Sequence, residues 1–333
     1  MTRLFPERLD HLAAPYWLPR ERTAGTDAGD LTVVTGYFDI GRSAWRGAVK
    51  GHEIPAWMAR TNCDYLAHFR LLARLRNEMI VFTEPRFAEE VLAARKASGL
   101  EASTVVITLD RPFERDPVLA ATRARIDRAM RNRMLDFVAE PNKPEAFSPD
   151  YVLVTALKPV LTTAAFDLGL ATRRQLAWLD FAYCREPESF NPDYPWHYDC
   201  GERLHVFTIA TPDARSASEM VRTAYCPFHG AQVFGPRALW PRLRDLFEAT
   251  LAELLALDLA DDDQGLLLMA WRAEPQLFAV HKVPRRDRFC ALRVFNEAVP
   301  PDRIPPSPRR SVRTPKQRLL NEVGRLRRRL STS

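Results

Sequence analysis

Three groups of side chains in this 333-residue chain could do chemistry, and each is built on carboxylates. Asp180 follows the apolar run 176–179. A carboxylate emerging from a buried strand has a partner or binds a cation, because an isolated buried charge is costly. Mg²⁺ or Mn²⁺ prefers such oxygen ligands and would bridge two phosphate oxygens of a nucleotide diphosphate. The plainer alternative is an aspartate that caps the turn after its strand. Asp261-Asp262-Asp263-Gln264 is the densest acidic group. Aspartates are good N-caps and suit the positive end of a helix that starts at Gly265. A cap needs one aspartate, however, not three and a glutamine. Clustered carboxylates raise one another's cost of ionisation unless a cation or a substrate hydroxyl shares them. Asp262, Asp263 and Gln264 are therefore read as the catalytic group, able to orient an acceptor hydroxyl or stabilise developing positive charge. Asp39 ends an apolar run beside Arg42, a pair that could take ribose or base hydrogen bonds and a phosphate, or be a turn aspartate with a surface arginine. His281, in the run LFAVH, is a second metal candidate, although a lone strand-end histidine is more often structural.

The elements that must position these groups alternate between strand and helix. Residues 31–39 (LTVVTGYFD) are apolar on both faces, as expected of a buried parallel strand. Residues 65–76 carry apolar side chains at helical spacing, and the short apolar run 79–82 follows. A helix over 89–97, stopped by Gly99, leads to a strand over 104–109. Asp116-Pro117 signals a capped helix that runs on towards residue 134, and another helical stretch, interrupted near Pro159, spans 151–168. Residues 175–183 read as a central strand, the proline- and aromatic-rich stretch 187–201 as a long loop or lid, and 204–209 as a further strand. An amphipathic helix follows over 241–257. The expectation is one α/β domain over 31–299, with a mostly parallel sheet whose ligand crevice opens at the carboxyl ends of the strands. Residues 1–30 are an extension that packs on this domain or stays partly loose. Five prolines within 300–308 end it.

A composition that is 46% hydrophobic, with 7 Trp and 18 Phe, excludes disorder throughout. The longest apolar runs are far below the ~18 residues of a membrane-spanning helix, so a cytoplasmic protein is expected. Five scattered cysteines, none in C-x-x-C spacing, read as inert thiols. Residues 303–333 hold ten Lys or Arg and one Glu, a net of +9 that leaves −3 for residues 1–302 within the overall +6. A mildly acidic body with a basic tail speaks against nucleic-acid binding by the body. Leu319, Leu320, Val323, Leu326 and Leu330 line one face among arginines, so the tail reads as an amphipathic helix for an anionic membrane surface, or as a solvated or subunit-pairing segment. No dinucleotide or P-loop glycine motif follows the first strand.

Taken together and in order, TGYFDIGR with a following tryptophan, YLAHFRLLARLRNEMIVFT, WLDFAY and DDDQ resemble the HtrL/YibB/WlaTC family of bacterial glycosyltransferase-like proteins. The likeness spans roughly residues 31–283. GAQVFG, a long helix and then DQGLL also resemble the second half of glycogenin-type transferases. Both resemblances imply a GT-A fold. They imply that Asp263 and Gln264 contact the transferred sugar and that Gly230 to Gln232 form part of the pocket floor. They also imply that Asp180 matches one acid of a D-x-D motif, His281 a late histidine ligand, and Lys158 a lysine facing a diphosphate. The sequence departs from D-x-D, because Asp180-Phe181-Ala182 offers one carboxylate where two are usual. The implied activity is transfer of a sugar from a nucleotide-diphosphate donor, UDP-sugars foremost, with Mn²⁺ or Mg²⁺. The implied acceptor is a cell-surface glycan or glycolipid precursor of lipopolysaccharide or capsule type, with retention of configuration suggested by glycogenin alone. The competing class is an inactive glycan- or nucleotide-sugar-binding protein of the same fold.

Overall fold

The computed structural model of the protein describes residues 3–19, 30–132 and 136–307. The basic tail segment read as an amphipathic helix lies outside the described residues. In chain order the first half contains β1 (Ala13–Trp17), β2 (Leu31–Tyr37), the small hairpin β3 (Ala48–Val49) and β4 (His52–Glu53), and α1 (Asn62–Leu72). It continues with β5 (Met79–Thr83), α2 (Pro85–Lys96), β6 (Thr104–Leu109), α3 (Pro112–Arg115), α4 (Pro117–Ala129), α5 (Pro144–Phe147) and α6 (Pro149–Ala156). The second half holds α7 (Lys158–Asp167), β7 (Gln175–Leu179), β8 (Leu204–Thr208), α8 (Ala217–Arg222) and β9 (Gln232–Pro236). It ends with α9 (Trp240–Ala256), α10 (Asp263–Ala273), β10 (Phe278–Lys282) and α11 (Ala291–Val294).

Eight strands form one sheet in the order β1-β6-β5-β2-β7-β9-β8-β10. β6, β5, β2 and β7 run parallel, as do β8 and β10, whereas β9 is antiparallel to both of its neighbours. Side chains alternate across the sheet as the period of two demands. Val34, Ile80, Phe82, Leu176 and Trp178 enter one apolar layer with Leu153, Leu161, Leu243 and Leu267 of α6, α7, α9 and α10. Leu31, Val33, Met79, Val81, Ala177 and Leu179 enter the other, with Phe69 of α1 and Val91 of α2. Both faces of the sheet are thus covered by helices. The architecture is a mixed α/β single domain with a mostly parallel central sheet.

Local signals explain most boundaries. Thr61 and Asp64 form a capping box that starts α1 earlier than its apolar periodicity suggests, and Asp116 accepts from the Leu119 N–H to start α4. Gly99 takes φ +67° just beyond α2, where a left-handed residue ends a helix. The stretch around Pro159 is two helices, α6 and α7, with Leu157 as their junction. β7 stops at Leu179, so Asp180 is the first residue past the strand.

Two stretches differ from expectation. Part of the amino-terminal extension is a strand, since β1 pairs antiparallel with β6 while Leu4, Phe5 and Leu9 are buried. The stretch 187–201 does not act as a lid. Trp196 within it is fully buried, donates to the Phe295 carbonyl at 2.6 Å, and is held through its backbone by Asn77. All five cysteines are free thiols. No helix among the described residues is long and apolar enough to cross a membrane.

Candidate functional site

A cleft of about 630 Å³ opens where β2 and β7 separate, with Gly36 to Ile40 on one side and Asp180 to Ala182 on the other. This is the point at which the chain's strand order reverses, the usual ligand crevice of a parallel α/β sheet. β9 runs against β7, so its amino end comes to the same edge. Leu179 pairs with Gln232, and the Asp180 N–H donates to the Ala231 carbonyl at 2.9 Å. That reversal brings Gly230 beside Asp180.

Lys158, at the start of α7, reaches into the centre of the site. Its Nζ lies 2.7 Å from Asp180 Oδ1 and 2.7 Å from Asp263 Oδ2, and donates to the Gly230 carbonyl at 2.9 Å. Burial opposes its charge, yet Asp180 and Asp263 outweigh burial and hold its pKa above the ordinary lysine value. Asp180 also accepts from Trp178 Nε1 at 3.0 Å. Burial pushes this carboxyl up, but Lys158 and Trp178 together bring it below the usual aspartate value.

The carboxylates of 261–263 behave differently. Asp262 caps α10 by accepting from the Gln264 N–H at 2.9 Å, and Gln264 Nε2 returns to Asp262 Oδ2 at 3.1 Å. Asp261 turns back to accept from the Asp262 N–H at 2.9 Å. Burial and the nearby Glu145 push Asp262 up to about 6. Burial pushes Asp263 up to about 7; Lys158 opposes the rise, while Asp262 and Asp180 add to it. Burial, with Asp262 and Glu145, raises Asp261 well above the usual aspartate value. One ammonium thus serves two carboxylates unequally: Asp180 stays ionised, and Asp263 titrates near neutral pH. A carboxyl in that range can both accept and donate a proton in a reaction.

Two glycines make this packing possible. A Cβ on Gly230 would sit 1.7 Å from Asp263 Oδ2, and one on Gly265 would sit 2.2 Å from Asp261 Oδ2. Neither position has room for a side chain.

The structure brings Asp39, Arg42, Lys158, Asp180, Gly230, Asp262, Asp263 and Gln264 to the cleft. Asp39 and Arg42 do not pair with each other there. Asp39 accepts from the Gly41 N–H at 2.9 Å and from Asn62 Nδ2 at 3.0 Å. Arg42 donates to the Met58 carbonyl at 3.2 Å and to the Tyr65 hydroxyl at 2.5 Å. Gln232 is not brought in. Its side chain is fully buried, accepts from the Tyr183 hydroxyl and donates to the Arg288 carbonyl at 2.9 Å.

His281 is also elsewhere. It sits on β10, separated from β7 by β9 and β8, with its Nε2 2.8 Å from Nδ1 of His205 and its ring stacked on that histidine. Burial, then His205, pushes its pKa down to about 4. The expected pairing of Asp180 with His281 around a metal is therefore not formed. Among the described residues no three His, Cys, Asp or Glu are grouped to hold a metal ion. The two best-placed oxygens, on Asp180 and Asp263, already share an ammonium, so as arranged this donor set does not fit a divalent ion.

A family model described as "Bacterial protein of unknown function (HtrL_YibB)" matches residues 29–297. The chain belongs to this family. It is similar to Protein HtrL of Escherichia coli (strain K12), with 31% identity over 272 residues that cover 79% of this chain and 92% of that protein. The HtrL_YibB stretch takes in β2 to β10 and every residue of the cleft; β1 precedes it.

Within the HtrL_YibB stretch the cleft also gathers residues that sequence reasoning missed. Arg60, Arg185 and Arg288 line it from three separate loops, together with Glu145 of α5, Tyr151 of α6 and His229. Loop arginines carry no periodicity, so nothing in the sequence singled them out. Only His229, directly before the Gly230 turn, stood next to a residue already of interest.

Proposed function

We propose that the protein is a glycosyltransferase that moves a sugar from a nucleotide-diphosphate donor to a hydroxyl acceptor. The observation that carries this reading is the sharing of one buried ammonium, Lys158, between Asp180 and Asp263 at the floor of a large crevice on an α/β sheet. The chain's resemblance to glycogenin-type transferases in GAQVFG, the following helix and DQGLL, and a mostly parallel sheet with its crevice at the carboxyl ends, support it.

In the transfer, the bond between the sugar's anomeric carbon and the donor phosphate breaks, and its electron pair leaves with the nucleoside diphosphate. A bond to the acceptor oxygen forms, and the acceptor's proton passes to a nearby base. Asp263, pushed up to about 7, is suited to hold that proton, with Asp262 and Gln264 orienting hydroxyls. Lys158 faces the negative charge that builds on the leaving diphosphate. The donor nucleoside lies towards Asp39 and Arg42 on the β2 side. A glycan or glycolipid precursor at a membrane face is the acceptor class we favour, UDP-sugars the donor class.

The test is thermal stabilisation and hydrolysis with a panel of nucleotide sugars, each with and without Mn²⁺. A donor that binds the folded state raises the melting temperature by mass action. If no donor shifts the transition or is hydrolysed under either condition, the transferase reading fails.

A further inference from the structure

Three loops bring guanidinium groups together on the wall of the cleft. Arg60 precedes α1, Arg185 follows β7, and Arg288 precedes α11. Arg185 and Arg288 share one platform: their Cζ atoms lie 4.5 Å and 5.2 Å from the centre of the Phe289 ring. Arg60 stacks more loosely on Tyr65, at 6.0 Å. Among the described residues, none of the three arginines has a carboxylate within ion-pair distance, whereas many arginines elsewhere, such as Arg3, Arg115 and Arg242, have one. Converging cations without an ion-pair partner repel one another, and Asp180, which favours the charge on Arg185, does not outweigh that repulsion and burial. Burial, then Arg60 and Arg288, pushes Arg185 down to about 10, and burial, then Arg285 and Arg60, lowers Arg288.

A second, independent feature stands beside them. His229 lines the same cleft, is only 8% exposed, and packs edge-on against Phe289 with ring centres 4.8 Å apart. Its Nδ1 is buried with no hydrogen-bond partner. An unmet buried polar atom in a native fold calls for an explanation, and a bound ligand supplies one. Burial holds this imidazole neutral at pH 7, since its pKa falls to about 3. A neutral imidazole carries one ring N–H that can donate to a phosphate oxygen without adding charge.

The chemistry that satisfies three planar guanidinium forks and one imidazole is a group with several closely spaced anionic oxygens. We infer that Arg60, Arg185, Arg288 and His229 seat a diphosphate beside Lys158, and that these side chains hold it without a divalent cation. The inference rests on the transferase reading for the identity of the ligand as a nucleoside diphosphate. It accounts for two features at once: the unpaired arginines, and the lysine that occupies the space between Asp180 and Asp263.

The experiment is calorimetric titration of the full chain with inorganic pyrophosphate in EDTA, then with UDP in EDTA, then with each in Mn²⁺. The proteins are the unaltered chain, Arg185→Gln, Arg288→Gln and Arg70→Gln, with folding checked by circular dichroism. Arg70 is an exposed control outside the cleft, with Glu90 at 3.9 Å. Pyrophosphate and UDP should bind in EDTA, and each cleft substitution should weaken both by about tenfold or more, as expected for loss of a charge-assisted hydrogen bond. Arg70→Gln should leave binding unchanged. If Arg185→Gln fails to fold, Arg288→Gln and the charge-keeping Arg288→Lys take its place; Lys should recover only part of the affinity, because it lacks the fork. Binding that appears only with Mn²⁺, or an equal loss in Arg70→Gln, overturns the inference. Should pyrophosphate bind as expected while no nucleotide sugar is turned over, the anion seat stands and the transferase reading alone is lost.

Discussion

The α-carbon of Gly230 lies against the carboxylate of Asp263, so closely that a Cβ there would be 1.7 Å from Oδ2. The Gly230 carbonyl meanwhile accepts from Lys158, so one backbone position fixes both partners of the buried ion pair. Gly230→Ala should therefore push Asp263 off Lys158 and cost about 1–3 kcal/mol, the usual range for overpacking a rigid site. Urea denaturation with and without the substitution measures this. A variant as stable as the parent would mean that the loop yields freely.

The elevated pKa of Asp263 makes a pH prediction whose sign is fixed. A carboxyl at about 7 in the folded chain, against 3.8 ordinarily, binds its proton more tightly when folded. Its contribution to stability is fully present below the unfolded value and is lost as pH rises through about 7. The stability of the parent relative to Asp263→Asn should thus grow as pH falls from 8 towards 4. Denaturation of both proteins across that range gives the difference directly, and a flat difference would place the titration elsewhere, on Asp262 or on the group as a whole.

How far the sequence reveals this site depends on which signal each residue sends. Buried strands such as β5 and β6 are unbroken apolar runs, and Asp116-Pro117 announces α4 through its own capping chemistry. Asp180 and Asp263 were legible because each sits at the end of such an element, where an α/β sheet opens, whereas Lys158 and Gly230 were indicated by the family resemblances alone. Gln232 and His281 were misplaced by side-chain direction. Gln232 shares the Phe234 side of β9 and meets Tyr183 in the core. His281 finds a partner, His205, on a strand whose neighbour no local pattern could name. β1 escaped notice because its middle residues are exposed and it only borders the sheet, so it has neither an apolar run nor clean alternation. The cleft arginines come from irregular loops and meet only through tertiary folding.

Away from the cleft, Arg95 offers a test of the fold itself. It is fully buried in α2, with Nε on Thr104 Oγ1 at 2.7 Å, Nη1 on the carbonyls of Ala73 at 2.9 Å and Leu75 at 2.5 Å, and Nη2 on that of Asn77 at 3.0 Å. These bonds tie the loop between α1 and β5 to the start of β6. Burial alone pushes its pKa down to about 9, still high enough to keep it charged at neutral pH. Arg95→Met keeps the apolar stem but strands three buried carbonyls, so a loss of at least about 3 kcal/mol is expected at ~1–3 kcal/mol for each unmet group. Arg95→Lys should recover little, because a single ammonium cannot span the fork. Chemical denaturation of the two variants decides this, and near-parental stability for Lys would show that charge rather than geometry is what the loop needs.

Lys158 is where stability and the proposed chemistry meet. Its ammonium is the counter-charge to two carboxylates, one buried and one facing the cleft. Lys158→Gln leaves Asp180 and Asp263 opposed with no cation between them, and removing one member of a buried ion group typically costs about 3–5 kcal/mol. Much of that cost is repulsion and unmet charge, so a second change, Asp263→Asn, should return part of it. The double variant should then be more stable than the sum of the single effects predicts, which is the signature of direct coupling in a double-mutant cycle. In a transferase, the same Lys158→Gln should lower turnover by about 10²–10³, as loss of one preorganised charge facing a developing anion does. The stability-restored double variant should stay inactive, because stability returns without the ammonium. Additive stability effects would separate Lys158 from Asp263 energetically. Turnover that survives in the double variant would remove Lys158 from the chemistry and leave it a purely structural cation.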